Sequence, residues 1–357
     1  MTTIVENLLN QPLVPWLSGA GPEGEIVLSS RIRLARNLRS QPFPGRASAA
    51  ELGEIVAALQ QVPAELGEAD GHKYELAALD GLSPLARNVL VEKHIVSPSH
   101  ITDPENRALI VRDDASVSIM VNEEDHLRLQ CLEAGLNLAD ALDKANAVDD
   151  IIEAKHDVAF MDTIGYLTAC PTNIGTGLRA SVMVHLPALV LTKQMGRMVA
   201  IATQLGLTVR GLYGEGSEAA GNVFQISNQV TLGRNEQDIV TSLNGVVKHI
   251  VDKERMAREL LLNESPDLLA DRVWRAYGVL RYAQSICANE ALSLLSEVRL
   301  GIDLGVIDEV LPEVFTKLLV MTRPSFLQNL AGDTVLHQAD SNKLRAKLIR
   351  SSLQKSQ

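Results

Sequence analysis

Aromatic side chains are scarce in this chain: 2 Trp, 5 Tyr and 5 Phe make up 3% of its 357 residues. The base-stacking platforms of single-strand nucleic-acid binders need more than that. Basic charge is in deficit too, with 33 Lys and Arg against 44 Asp and Glu and a formal net charge of −11. A general attraction to nucleic acid or to an anionic membrane is excluded on that count, while basic partners are tolerated. Cysteine is sparse: Cys131, Cys170 and Cys287 stand far apart with no C-x-x-C. That spacing argues against a zinc site and for a reduced, cytoplasmic setting. No apolar run approaches the ~20 residues that span a bilayer. The N-terminus, "MTTIVENLLNQPLVPWL", has an early acid and no basic leader, so it does not read as a signal peptide.

What is present supports a sizeable core. Apolar residues are 46% of the chain and charged residues 22%, and the length suffices for two domains. Ser48 with Glu51 forms a capping-box pattern ahead of Leu52, Ile55, Val56 and Leu59 on one helical face. Ser83-Pro84 predicts another helix start. "RALIVRDDASVSIMVNEED" reads as a hairpin turning at Asp113-Asp114. "GLNLADALDKANAVDDIIEAK" reads as an amphipathic helix. Between 157 and 233, short strands are expected in "YLTAC", "RASVMVHL", "LTVRGLY" and "NVFQISNQVTL", interrupted by one helix, "PALVLTKQMGRMVAIATQLG". Short connections and no regular strand–helix–strand alternation predict antiparallel pairing. After about residue 235 every segment reads as helix, with Asn235 as a cap. A boundary near residue 263 separates an α+β region from a helical one.

Four stretches carry chemistry. In "LSSRIRLARN", Arg31 and Arg33 lie two apart, so an extended backbone points both to one side. Two adjacent guanidinium groups repel unless an anion lies between them, and their planar forks suit phosphate. The alternative is two arginines on an exposed strand. "NEEDHLRLQ" packs three carboxylates, His126 and Arg128 behind the apolar "SVSIMV". It is either a solvated turn entering a helix or a place that holds a cation and a polyanion at once. "CPTNIGTGLRASV" joins a small-residue loop, Thr172 to Gly177, to Arg179; it matches neither G-x-x-x-x-G-K-[ST] nor G-x-G-x-x-G. "RGLYGEGSEAAGN" sets Arg210 and Glu215 in a glycine-rich loop that could bring a carboxylate onto a substrate, or could be a flexible hairpin. Together they supply five arginines for a triphosphate, with Mg²⁺ taking the remaining charge, and two acids for a cationic nucleophile.

In this order and at these spacings, the stretches "SSRIR", "VNEEDHLR", "CPTNIGTGLRASV", "RGLYGEGSE" and "ISNQVTLG" resemble the catalytic domain of the phosphagen (guanidino) kinases over roughly residues 24 to 255. Creatine and arginine kinases carry a small helical domain before this region. Here only residues 1–23 precede it, and a helical region, 263–357, follows. That layout resembles the bacterial protein-arginine kinases of the same family.

The resemblance implies an α+β fold: a curved antiparallel sheet flanked by helices, then an all-helical C-terminal dimerisation and regulatory domain. It implies ATP with Mg²⁺ and phosphoryl transfer to a guanidinium nitrogen. By motif position, Glu124 and Glu215 would hold the guanidinium, Glu124 would act as base, and Cys170 would lie beside it. Ser29, Ser30, Arg31, Ile32 and Arg33, His94, Arg128, Arg179, Ala180, Ser181, Val182 and Met183, and Arg210, Gly211, Leu212, Tyr213 and Gly214 would line the nucleotide. On residue type alone, a lone His or Cys is more often packed structure than chemistry.

The physical logic agrees. A guanidinium, with a pKa above 12, is a poor nucleophile. Flanking carboxylates orient it and accept a proton as the N–P bond forms. Implied partners are proteins with exposed arginines, a heat-shock repressor, a zinc-finger activator protein, a Clp chaperone-protease that receives marked proteins, and a second copy of the chain. The alternatives are a kinase of a free guanidino compound and a catalytically weak adaptor. An R-D-x-x-R-A motif that forms an allosteric phosphoarginine pocket in these kinases is degenerate here: Ser341 and Asn342 replace its Arg and Asp, while Arg345 and Ala346 remain. Weak or absent phosphoarginine binding is expected.

Overall fold

The computed structural model describes residues 3–211 and 219–354. Ten strands are found among them: β1 (Val27–Arg36), β2 (Tyr74–Ala78), β3 (Ala108–Arg112), β4 (Val117–Val121), β5 (Leu127–Ala134), β6 (Phe160–Met161), β7 (Gly165–Tyr166), β8 (Leu178–His185), β9 (Leu207–Gly211) and β10 (Val223–Asn228). Eight form one sheet in the order β2-β3-β4-β5-β1-β8-β10-β9, and β6-β7 is a separate hairpin. Every pairing is antiparallel, as the short connections predicted.

Before and between the strands lie α1 (Ile4–Asn10), α2 (Ala49–Ala58), α3 (Val62–Asp70), α4 (Pro84–Glu92), α5 (Leu138–Glu153), α6 (Pro187–Leu191) and α7 (Met195–Gln204). The capping box forms, with the Glu51 side chain and the Ser48 hydroxyl exchanging bonds with each other's backbone. Ser83 caps α4 through the Ala86 N–H. From Glu236 on, the chain is helical: α8 (Glu236–Glu264), α9 (Pro266–Tyr282), α10 (Ala288–Asp303), α11 (Glu313–Met321), α12 (Pro324–Ala331) and α13 (Gln338–Ser352). The long α8 runs unbroken across residues 255 to 263.

Two sequence expectations need correction. "PALVLTKQMGRMVAIATQLG" is two helices, because Lys193 adopts a left-handed conformation (φ 58°) between α6 and α7. "YLTAC" contributes only Tyr166 to a strand. Buried carboxyl and amide groups take its backbone instead: Ala169 N–H donates to Asp125 and Leu167 C=O accepts from Asn37. Of the two readings left open for "NEEDHLRLQ", the turn into a helix falls away: the segment joins β4 to β5 by a tight turn. Asn122 sits there at φ 60°, and its amide holds the carbonyls of Leu52 and Asn106.

Strand alternation gives the sheet two different faces. One carries Ile32, Leu34, Ile119, Leu129, Cys131, Ala180, Val182 and Ile226, all buried in a single apolar core with the inner faces of α5 and α8. The other carries Arg33 opposite Gln130 and Arg179, and Arg31 opposite Leu132 and Ser181. Toward one end this second face turns apolar. There Leu132 and Met183 join Trp16, Leu17 and residues of α9 to α13 in a second core. Glu254 on α8 accepts the N–H groups of Ala188 and Leu189, while Arg258 pairs with both Glu254 and Asp303. This buried network ties α6, α8 and α10 together.

Candidate active site

On the second face a cavity of about 530 Å³ opens over the sheet. Its guanidinium wall is Arg31, Arg33, Arg128, Arg179 and Arg210, drawn from β1, β5, β8 and β9. The strand register brings them together: Gln225 on β10 faces both Met183 and Arg210. Arg31 is braced by Ser181 (3.2 Å), Gln130 (3.4 Å) and Gln225 (2.7 Å). Burial, then the charges of Arg128 and Arg179, brings its pKa down to about 10. Arg33 is pushed down further, by burial and then by Arg31, Arg128 and Arg179. Arg179 is lowered by burial and by Arg210. The Nε atoms of Arg33 and Arg179 have no hydrogen-bond partner among the described residues. A cluster of cations with unspent donors is an anion receptor in waiting.

Arg128 has the one carboxylate partner in this group among the described residues. Its Nη1 pairs with Glu123, whose other oxygen accepts from Ser97 and from Ser99 (2.6 Å). Burial alone would raise the Glu123 carboxyl, but Arg128 and the two hydroxyls hold it at about 2. Glu123 therefore aims Arg128 and is not itself available as a base.

A second, smaller pocket of about 70 Å³ shares Arg33, Arg128 and Arg179 with the first, and its lining also includes Glu124, Asp125, Cys170, Thr172, Asn173 and Gly177. Partial burial, then Asp125, pushes the Glu124 carboxyl above its ordinary range, while Arg128 and the Cys170 thiol pull the other way. The Cys170 sulfur lies 3.0 Å from the Thr172 hydroxyl. Asp125 is buried and anchors Asn37 and Ala169. His126 is a buried strut, its Nδ1 accepting from Leu38 N–H (3.0 Å) and its Nε2 facing Pro42 C=O (2.9 Å). The loop from Thr172 to Gly177 belongs to this pocket and not to the large cavity. Gly177 (φ 67°) must be glycine, since a Cβ there would lie 2.7 Å from Ala35 C=O.

His94 lines the large cavity at φ 57° and its carbonyl accepts from Gln130. Burial, then Arg31 and Arg323, lowers its pKa to about 3, so it stays neutral. Ser30, Ile32, Ala180 and Val182, expected along the nucleotide, point the other way: alternation sends their side chains off the arginine face. Ser30 instead bonds Gly135 C=O and Asn137 N–H. Ser29, Ser181 and Met183 remain on the site face, whereas Gly211, at the end of β9, stands opposite Phe224 on the core side. Glu215, Leu212, Tyr213 and Gly214 lie outside the described residues. Arg345 is buried among carbonyls, donating to Thr322 (2.8 Å), Ile286 (2.9 Å) and the Asn342 side chain (2.7 Å). Gln130 and the pair Ser97 and Ser99 were missed from sequence. Gln130 had a signal, because it follows Arg128 at the strand period of two.

The guanido phosphotransferase model, "ATP:guanido phosphotransferase, C-terminal catalytic domain", matches residues 55–257, and "Protein-arginine kinase McsB C-terminal domain" matches residues 266–357. This chain belongs to the ATP:guanido phosphotransferase family, in its protein-arginine kinase branch. It is 49% identical to the protein-arginine kinase of Halalkalibacterium halodurans and 48% identical to that of Desulforamulus reducens, each over 98% of both chains. Among solved structures it resembles the duplicated taurocyamine kinase of Schistosoma mansoni (TM-score 0.60, 25% identity, 71% of this chain and 37% of that one). It also resembles a lombricine kinase (TM-score 0.54, 27% identity, 67% and 68%). This kinase is thus a phosphotransferase built on the phosphagen-kinase sheet, with ATP as the family's phosphoryl donor.

Proposed function

We propose that this kinase moves the γ-phosphoryl group of MgATP onto arginine side chains of proteins. One observation carries the reading: a large cationic cavity and a small acidic pocket meet at Arg33, Arg128 and Arg179. Those three guanidinium groups stand where a transferring phosphoryl must pass. The triphosphate lies along Arg31, Arg33, Arg128, Arg179 and Arg210, which offset its charge and that of the transition state. Among the described residues no trio of His, Cys, Asp or Glu is placed to hold a metal ion. On this reading Mg²⁺ enters on the phosphate oxygens as part of the substrate.

Across the shared wall, Glu124 orients the incoming guanidinium beside Cys170, and Glu215 is assigned to its other side by motif position. As nitrogen attacks phosphorus, the N–P bond forms, the bond to the bridging oxygen of ADP breaks, and Glu124 takes the nitrogen's proton. Its raised pKa makes it a better base than an ordinary glutamate.

The likeness to protein-arginine kinases along the whole chain favours a polypeptide acceptor over a free guanidine. Phosphorylation replaces a surface cation by an anion, a change that a reader protein can recognise. On the same reading, a heat-shock repressor is a substrate, a zinc-finger protein an activator, and a Clp chaperone-protease the receiver of marked proteins, all in the cytoplasm. Residues 24–255 would form the catalytic domain and 263–357 the dimerising one. The test is a competition. The kinase is given MgATP with an arginine-rich protein, with free arginine, and with both. Acid-labile phosphate on the protein supports the reading; phosphate on free arginine alone makes this a phosphagen kinase, and none on either makes it an adaptor.

A further inference from the structure

The cavity walls described so far come from the sheet and the segment after α4. Two more side chains bear on it from outside the stretch that matches the guanido phosphotransferase model: Arg323 lines the cavity itself, and Trp16 lines a slot that joins it. Trp16 precedes that stretch, and Arg323 belongs to the C-terminal helical part. Their places follow from how the pockets join. At one end, the large cavity meets the Glu124 pocket through Arg33, Arg128 and Arg179. At the other, it meets a narrow slot through Arg31, His94 and Gln225, and that slot is lined by Trp16, Ser29, Ser181 and Met183. The phosphates must lie at the Glu124 end, where the acceptor enters. The nucleoside then points toward Trp16.

Trp16 is 2% exposed. Its ring meets His94 edge-on with centroids 6.0 Å apart. Its indole N–H is buried with no hydrogen-bond partner among the described residues. Such a donor is costly unless a ligand supplies the acceptor. Arg323 lines the large cavity and is the N-cap residue of α12. Its backbone is pinned on both sides. Arg345 holds the Thr322 carbonyl, and Glu92, from α4, accepts the N–H groups of Ser325 (2.9 Å) and Phe326 (2.9 Å). Arg323 is also close enough to His94 to help depress its pKa.

We propose that Trp16 and Arg323 complete the nucleotide site: Trp16 closes the purine end and offers its N–H to the base, and Arg323 adds a charged donor along the nucleotide's flank. The inference rests on the kinase reading above. It makes both ends of the chain part of the ATP site.

The chain has two tryptophans, and Trp274 is half-exposed on α9, beside Tyr277. Trp274→Phe therefore leaves Trp16 as the sole indole. In that protein, ADP should produce a saturable change in tryptophan emission, whereas inorganic tripolyphosphate should compete with ADP without producing it. In parallel calorimetry, Arg323→Gln should weaken ADP and ATP roughly tenfold, the loss of one hydrogen bond to a charged group. Arg323→Lys, which keeps the charge, should recover part of the affinity, which a purely structural role would not. ADP that binds by calorimetry while Trp16 stays silent overturns the part assigned to Trp16. Unchanged affinity in Arg323→Gln overturns the part assigned to Arg323. If the wild-type protein binds neither ADP nor ATP, the kinase reading fails and this inference fails with it.

Discussion

Arg33 and Arg179 stand directly opposite each other on adjacent antiparallel strands, β1 and β8, each with a buried Nε that no described residue satisfies. Like charges paired across strands are destabilising. Arg179 also lowers the affinity of Arg33 for its proton. The fold holds this repulsion in place, and a polyanion relieves it.

Removing one partner should therefore have opposite effects on stability and on function. Arg179→Met should raise the melting temperature of the nucleotide-free protein and abolish the further rise that MgATP gives the wild type. Arg179→Lys keeps the charge but loses the two-pronged fork, and transfer should fall at least roughly tenfold, about one hydrogen bond to a charged group. Differential scanning calorimetry with and without MgATP checks the first claim. A full rate in Arg179→Lys would show that only charge matters there.

Glu124 must be ionised to take a proton, and its pKa lies above the ordinary 4.5. The acid limb of kcat should therefore sit above the usual glutamate range, with activity lost as pH falls through that raised value. Glu124→Gln should flatten the limb and lower kcat by a factor of roughly 10² or more. A pH–rate profile of the variant that keeps the wild-type acid limb would assign that limb to another group.

Glu123 behaves in the opposite sense. Its folded pKa of about 2 lies below the ordinary 4.5, so its contribution to stability is complete above pH 4.5 and is lost as pH falls through about 2. Glu123→Gln should cost about 1–3 kcal/mol at neutral pH, through the lost pair with Arg128. Urea titrations at a series of pH values should show the variant and the wild type converging on the acid side. A constant gap would mean that the carboxylate's charge is not what matters.

Arg345 donates to two backbone carbonyls and to Asn342 inside the helical core. With Ser341 and Asn342 in place of an Arg–Asp pair, it is committed to structure. Arg345→Ala should lower stability by roughly 2 kcal/mol or more. Free phosphoarginine should change neither the melting temperature nor ATP turnover. A saturable response to phosphoarginine that Arg345→Ala removes would contradict this assignment.

Leu268, Val279 and Tyr282 are exposed, at 74%, 42% and 75%. Spaced by eleven and three residues, they share one side of α9. An apolar stripe of that kind suits a second copy of the chain. Light scattering should give a dimer mass at micromolar concentration, and Leu268→Asp with Tyr282→Asp should give a monomer that still binds ATP. A monomeric wild type would rule this surface out as the dimer contact.

Much of this was legible in the sequence for local reasons. The spacing of two between Arg31 and Arg33 fixed their common side, and capping residues fixed the starts of α2 and α4. Legibility failed where distant side chains decided the outcome. The backbone after Tyr166 bends because Asp125 and Asn37 claim it, and no local pattern announces that. The segment after Glu124 is a strand because it pairs with β1 and β4. Motif blocks also named whole segments where alternation admits only every second residue, as with Ile32 and Val182. Trp16 and Arg323 lay outside every motif, and only the folded chain brings Arg323 to the cavity and Trp16 to the slot beside it.

The most direct test of the central claim is phosphorus NMR of a reaction containing this kinase, MgATP and an arginine-rich protein. The account predicts a phosphoramidate signal on the protein, lost on acidification and absent with Glu124→Gln even though that variant still binds ATP. A phosphate-ester signal in its place, or an equal phosphoramidate signal from Glu124→Gln, would contradict it.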